Sequence, residues 1–296
     1  MKPLYPNYTR KAMTFTLDDG NIKFDRKLLE IIKPKGFIGT FNICSHSILN
    51  HGLNAEELRE FYRGYELTNH CKYHPRLLKE EHAEMRAAAT EFEPGVFRCL
   101  NEKGQRVIYA TEEGYKRLVD ECKVELEAIF GEGSINAFVW PYRDQESDEL
   151  DAFFKARGYT SVRRTGSAPD FKLPADRMDW AYNATHKSLL TKAKAYEELA
   201  DDGELTYFCF GVHAHDFEYD DCWDVLVEFA EKYGNRPSEF WYATVGEVFA
   251  YEDAIKALVE TDEAIINPSA ITVYVEHNGI GKPIAPGSEI KKCDFV

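Results

Sequence analysis

The sequence predicts a parallel α/β fold, and three observations carry that expectation. Short apolar or alternating runs recur between amphipathic helical runs, the pattern of βαβ units. About seven such strands precede the C-terminal tail, a number that suits a barrel or an open doubly wound sheet. The residues with chemical potential fall directly after strands, where parallel folds keep their active sites. Four strand exits converge in this way, and that favours a barrel with a site at its mouth.

Met13, Phe15 and Leu17 alternate with Thr14 and Thr16, which predicts the first strand. Phe24, Leu28, Ile31 and Ile32 share one helical face, and Pro34 and Gly36 end that helix. Phe37 to Ile43 is the second strand. Asn54 with Glu57 three residues on predicts a capping box for a helix through Arg63. Tyr65 to Thr68 is a short strand ahead of His70, and a helix is expected over about 79–89. Val96 to Leu100 and Arg106 to Ala110 predict a hairpin around Asn101–Gln105, an insertion over about 94–111 that interrupts the rhythm. A long helix covers Glu112 to Phe130, and Ala137 to Val139 is a strand ending at Trp140-Pro141-Tyr142. Ser147 starts a helix that Gly158 closes. Strand Tyr159 to Val162, an irregular Pro-containing stretch, helix Ser188 to Ala200 and strand Leu205 to Val212 follow. Helix Trp223 to Tyr233, strand Phe240 to Ala243 and helix Gly246 to Val259 complete a catalytic barrel over 1–258. The remainder, 259–296, reads as a short C-terminal β extension with one strand, Ile271 to Val275.

Composition narrows the function. Lys and Arg number 36 against 51 Asp and Glu, a formal net charge of −15. An acidic surface repels phosphate backbones, so no nucleic-acid partner is expected. The seven cysteines are odd in number and form no Cys-x-x-Cys pair, which predicts scattered reduced thiols. No signal-length or membrane-spanning apolar run is present, so a cytoplasmic location without membrane contact is expected.

Asp18-Asp19-Gly20 places two carboxylates on a strand exit, pointing different ways; one can bind a metal while the other handles protons. Alone, the dipeptide better describes a turn whose aspartates cap the next helix. His70 and His74, four apart on a loop entering a helix, can ligate one metal or be ordinary surface histidines. His213 and His215 lie on one side of a strand end, so one of them can face the mouth. Trp140, Pro141 and Trp180 can wall a sugar site or pack in the core.

Together these segments resemble the polysaccharide deacetylase family, also called the NodB-homology or carbohydrate esterase 4 group. Thr16-Leu17-Asp18-Asp19-Gly20 is similar to its T-F-D-D-G motif, and Asn69-His70-Cys71-Lys72-Tyr73-His74-Pro75 to N-H-T-x-x-H-P. Trp140-Pro141-Tyr142 resembles the R-x-P-Y segment, Asp179-Trp180 the fourth motif, and His213 the fifth. The resemblance implies a distorted (β/α)7 barrel and removal of acetyl groups from an acetylated sugar or polysaccharide. It implies Asp18 as general base. It implies Asp19, His70 and His74 as ligands of a divalent metal, zinc by preference, or cobalt or nickel. It further implies the Tyr142 N–H at the oxyanion, His213 as general acid, and Asp179 holding that acid. Trp140, Pro141, Trp180 and His215 would meet substrate. His215 stays open as the alternative acid.

One departure stands out. The family's Arg, two residues before the motif-three proline and braced against the catalytic Asp, is Val139 here; Arg143, Arg163 or Arg164 are the candidates to replace it. The rival readings are a non-catalytic carbohydrate-binding barrel and a related hydrolase of another non-peptide C–N bond. A third is a non-haem Fe(II) site, whose triad of two histidines and one carboxylate usually sits on antiparallel folds.

Overall fold

The computed structural model describes residues 1–79, 89–101, 104–142 and 147–295. The helix expected over about 79–89 and the candidate Arg143 fall outside these residues.

The central sheet comprises β1 (Lys11–Asp19), β2 (Thr40–Ile43), β3 (Glu66–Asn69), β4 (Ala137–Val139), β5 (Ser161–Ser167), β6 (Trp180–Tyr182), β7 (Thr206–His213) and β8 (Trp241–Tyr242). Its order is β6-β5-β4-β3-β2-β1-β7, and every pairing is parallel. β8 also pairs in parallel with β1, along Ala12 and Met13, below the point where Thr16 meets Thr40 of β2. After β6 the chain returns to β7. Ala184 bridges Phe210, the Asn183 N–H donates to the Cys209 carbonyl at 2.8 Å, and the Gly211 N–H donates to that of Ala184 at 2.8 Å. The sheet thus curls back on itself, as a distorted (β/α)7 barrel does.

The helices are α1 (Ile22–Ile32), α2 (Ser45–Leu49), α3 (Ala55–Phe61), α4 (Glu112–Phe130), α5 (Asp148–Ala156), α6 (Leu189–Glu197), α7 (Asp216–Tyr219), α8 (Trp223–Tyr233) and α9 (Val245–Lys256). Their starts follow the sequence. Asn54 and Glu57 form the expected capping box, and Thr111 and Ser147 cap α4 and α5. Met13, Phe15 and Leu17 face outward and pack with Leu28 and Ile32 of α1 and with Phe229 and Tyr233 of α8. The alternate residues Thr16 and Asp18 face inward but are buried as well. Their polar atoms bond across the barrel. The Asn42 amide donates to Thr16 Oγ1 at 2.7 Å and to Asp18 Oδ1 at 2.6 Å, and Thr68 Oγ1 donates to Asn42 Oδ1 at 2.6 Å. Polar interior and apolar exterior reverse the usual one-sided strand, because helices cover the outside and the closed sheet hides the inside.

Some elements differ from expectation. The second strand starts at Thr40, not Phe37: Phe37 is buried against Phe229 from a loop, and apolar content alone cannot separate that from a strand. β6 starts at Trp180 of the Asp179-Trp180 motif, in a stretch expected to be irregular; three residues are too few to show a period. The tail holds more than one strand. Val273–His277 pairs antiparallel with Ile280–Ile284 and with the N-terminal Lys2–Leu4, while Val259–Glu260, Ala264–Ile266 and Glu289–Lys291 form a second small sheet. The expected hairpin, Val96–Leu100 with Arg106–Ala110, forms with those bounds. Among the described residues no helix is long and apolar enough to cross a membrane.

Candidate metal centre and active site

Strand register builds the mouth. Asp19 of β1 lies beside Ile43 of β2, which lies beside Asn69 of β3. Asp19 itself (φ 80) and Gly20 (φ 69) turn left-handed, which carries the Asp19 carboxylate across the mouth. A Cβ on residue 20 would also come within 2.8 Å of Ile43 Cδ1, so both the turn and the space favour glycine there. Cys71 (φ 63), His74 (φ 53) and Tyr142 (φ 63) adopt the same region. Such backbones cost about 1–3 kcal/mol each and gather at functional sites.

His70, from the end of β3, is 1% exposed. Its Nδ1 faces the Val139 carbonyl at 2.8 Å, so the neutral ring carries its proton there and turns a lone pair on Nε2 to the mouth. That Nε2 lies 3.5 Å from Asp19 Oδ1, and His74 Nε2 lies 3.5 Å from the same oxygen. Asp19 Oδ1 and His70 Nε2 are both buried and, among the described residues, without a hydrogen-bond partner. A carboxylate oxygen with two imidazole nitrogens each 3.5 Å away suits a cation, and one carboxylate with two imidazoles is a catalytic-zinc donor set. Burial alone would raise the Asp19 pKa, but His70, His74 and His213 hold it well below the usual carboxylate range. Burial and the neighbouring His70 push His74 down to about 4, which keeps its ring neutral for ligation.

Asp18 lies deeper, 9% exposed. Arg163 of β5 donates through Nη2 to its Oδ1. Arg163 is itself 0% exposed and pairs in register with Val139 of β4. The guanidinium missing at Val139 is therefore supplied at the same level by the next strand. Burial pushes the Asp18 carboxyl up, and Arg163, His70 and His213 more than reverse this. Arg164 points to the other face, where it pairs with Asp151 and Asp179.

Across the mouth, His213 Nε2 lies 3.9 Å from Asp19 Oδ2. Its Nδ1 lies 3.1 Å from Asp216 Oδ2, and its backbone N–H donates to the same oxygen at 3.0 Å. Burial lowers the ring pKa, but the Asp216 hydrogen bond and the Asp19 and Asp18 charges raise it to about 9. His215 stacks on His213 with centroids 4.8 Å apart, and burial and that neighbour lower its pKa. Of the two histidines, His213 is the one that faces Asp19.

Several sequence assignments are corrected by this geometry. Asp179 does not hold His213; it pairs with Arg164 Nε at 2.9 Å with its side chain 64% exposed, and Asp216 occupies the expected place. Trp140 and Trp180 are 1% and 4% exposed, packed on Phe154 and Phe249, and Pro141 is buried, so none of the three forms an open sugar wall. Tyr142 is half-buried at the mouth, its ring 4.5 Å from that of His74 and 4.0 Å from the Arg76 guanidinium. Sequence reasoning gave no role to Asp216, although its signal was present: a carboxylate three residues after a strand-end histidine, where a helix begins.

With this arrangement in view, the sequence comparison is decisive. Residues 6–162, just over half of the chain, match the family profile described as Polysaccharide deacetylase. The chain belongs to the polysaccharide deacetylase family. Membership makes it a hydrolase acting on C–N or ester bonds of acetylated carbohydrates. The match spans Asp18, Asp19, His70, His74 and Tyr142 and stops one residue before Arg163. No match was found among curated proteins. Among solved structures, a Mycobacterium smegmatis protein described as a polysaccharide deacetylase is similar at 13% identity with a TM-score of 0.56, covering 88% of this chain and 96% of its own. The 4-alpha-glucanotransferase from Thermococcus litoralis is similar at 12% identity with a TM-score of 0.53, covering 82% of this chain and 40% of its own. At such identities the likeness speaks to the fold alone, and the two descriptions name different chemistry on it.

Proposed function

We propose that this deacetylase removes acetyl groups from an N-acetylated carbohydrate, with Asp18 as general base, His213 as general acid, and Asp19, His70 and His74 holding a divalent metal, zinc above others. The observation that carries the reading is the pair of buried atoms Asp19 Oδ1 and His70 Nε2, unpartnered among the described residues, with His74 on the same oxygen and Asp18 and His213 beside them. A bound metal would supply Lewis acidity to the acetyl carbonyl and to the attacking water. Asp18, kept ionised by Arg163, accepts the proton of the attacking water. His213 donates a proton to the leaving nitrogen, and Asp216 fixes its ring and stabilises its charged form. An amine leaves poorly without that proton, so a base and a separate acid suit an amide better than an ester. The Tyr142 N–H is assigned to the developing oxyanion. His215, beside His213 at the rim, is the remaining candidate for substrate contact. The binding-only reading rested on the valine at 139, and Arg163 answers it.

The test is metal analysis coupled to acetate release from chitooligosaccharides, acetylated xylan and free N-acetyl sugars. Asp18→Asn is expected to retain metal and lose turnover. A near wild-type rate in that variant overturns the base assignment.

A further inference from the structure

Cys44 has no part in the reaction above, yet it stands at the metal centre. It directly follows β2. Since Asp19, Ile43 and Asn69 lie side by side, one step outward brings Cys44 between the Asp19 turn and His70. Its Sγ, an Asp19 carboxylate oxygen and a His70 ring nitrogen all lie within 4.8 Å of one another. Cys44 is 4% exposed and approaches from the buried side, its thiol directed at the His70 carbonyl at 3.3 Å. The neighbouring cysteines differ. Cys71 packs with Leu77, Val96 and Tyr115, and Cys122 directs its thiol at the Ile43 carbonyl.

We propose that Cys44 is a fourth protein ligand, a thiolate that commits this centre to thiophilic divalent ions such as zinc, cobalt or cadmium and against magnesium, calcium or manganese. The proposal rests on the metal-centre reading given under the proposed function. Two buried atoms already aimed into the site, Asp19 Oδ1 and His70 Nε2, have no other partner among the described residues. Bonds of about 2.0–2.3 Å place tetrahedral donors about 3.5 Å apart. Asp19 and His70 stand at 3.5 Å now. Sγ therefore has at most about 1.3 Å to close on either. On ligation the S–H bond breaks, its proton passes to solvent, and a metal–sulfur bond replaces the contact with the His70 carbonyl; no electron is transferred. Catalytic zinc sites can expand to five ligands, so a thiolate entering from the buried side leaves one position, on the mouth side, for substrate or water. Soft donors select soft ions where carboxylate and water do not, which gives the selectivity.

The experiment is cobalt(II) titration of the purified, metal-free chain, followed by absorption spectroscopy. Visible d–d bands together with an intense near-ultraviolet thiolate-to-cobalt band are expected. Cys44→Ser and Cys44→Ala should keep the visible bands and lose the near-ultraviolet one. Their zinc affinity should fall by at least the roughly 10- to 100-fold that outer-shell partners cost, with manganese affinity unchanged. Visible bands in the wild type without the near-ultraviolet band overturn the Cys44 assignment and leave the centre standing. No cobalt spectrum in the wild type overturns the centre as well, and His70→Ala, which should lose the visible bands, separates specific from adventitious binding.

Discussion

Replacing Arg163 with methionine removes the cation facing the buried Asp18 carboxylate while keeping most of the apolar stem. Asp18 then retains the Asn42 amide at 2.6 Å as a donor but loses its charge partner. Both residues lie in the barrel interior, 0% and 9% exposed, so water cannot replace the guanidinium. Breaking one side of a buried pair costs about 3–5 kcal/mol, and the surviving amide bond favours the lower end. About 3 kcal/mol corresponds to a fall in Tm of about 6–12 °C for a large single domain. The pH dependence has a definite sign. Arg163 helps hold the Asp18 pKa below its ordinary value of 3.8, so the pair stabilises the fold above that pH, and the stabilisation disappears as pH falls through the folded-state value. The gap between wild type and variant should therefore be widest near neutrality and narrow in acid. In the variant, burial dominates and Asp18 protonates at higher pH, so the acidic limb of the acetate-release profile moves upward. Adding Asp18→Asn to Arg163→Met should recover much of the stability, since no buried charge remains, and none of the activity. The assays are thermal unfolding across pH and the pH–rate profile. An Arg163→Met protein that melts with the wild type and keeps its acidic limb refutes the pairing argument.

Three further outcomes are expected. Asp216→Asn withdraws the carboxylate that helps raise the His213 pKa to about 9; the alkaline limb should move to lower pH and kcat should fall by about 100-fold or more, with KM little changed. An unmoved alkaline limb assigns the acid elsewhere. Zinc at about 100 times its Kd should stabilise the chelated protein by about 2.7 kcal/mol, visible as a rise in Tm that His74→Ala abolishes. A wild-type Tm indifferent to zinc removes the metal centre. Asp25 is 0% exposed, and its Oδ1 has no hydrogen-bond partner among the described residues. Burial raises its pKa well above the ordinary 3.8, so the folded chain binds the extra proton and stability drops as pH rises above that value, by up to about 1.4 kcal/mol per pH unit. Asp25→Asn should flatten this slope in urea unfolding and stabilise the protein near neutrality; parallel slopes for the two proteins contradict it.

Asp18, Asp19, His70, His74 and His213 were legible in the sequence because each ends a strand or follows one by a few residues. In a parallel sheet every strand exits at the same end, so chain position alone implies nearness in space. The local spacing of His70 and His74 and the adjacency of Asp18 and Asp19 then supplied the division of labour. Capping residues such as Asn54 and Ser147 were legible for a similar reason, since a cap acts on backbone two or three residues away.

What the sequence by itself determined was therefore whatever depends on neighbours along the chain: strands, helix starts, and which residues reach the mouth. The tertiary structure alone decided pairings made across it. Alternation shows that Arg163 and Arg164 face opposite ways but not which of them faces inward, and only the register of Arg163 against Val139 brings it to Asp18, 145 residues away. The same holds for Trp140 and Trp180, whose aromatic character suits a sugar wall or a core equally well. Helices α4 and α5 cover Trp140 and α9 covers Trp180, while His213 is braced by Asp216, three residues along its own chain, instead of by Asp179. Periodicity fixes the spacing of faces along one element, whereas the direction a face looks is set by what packs against it.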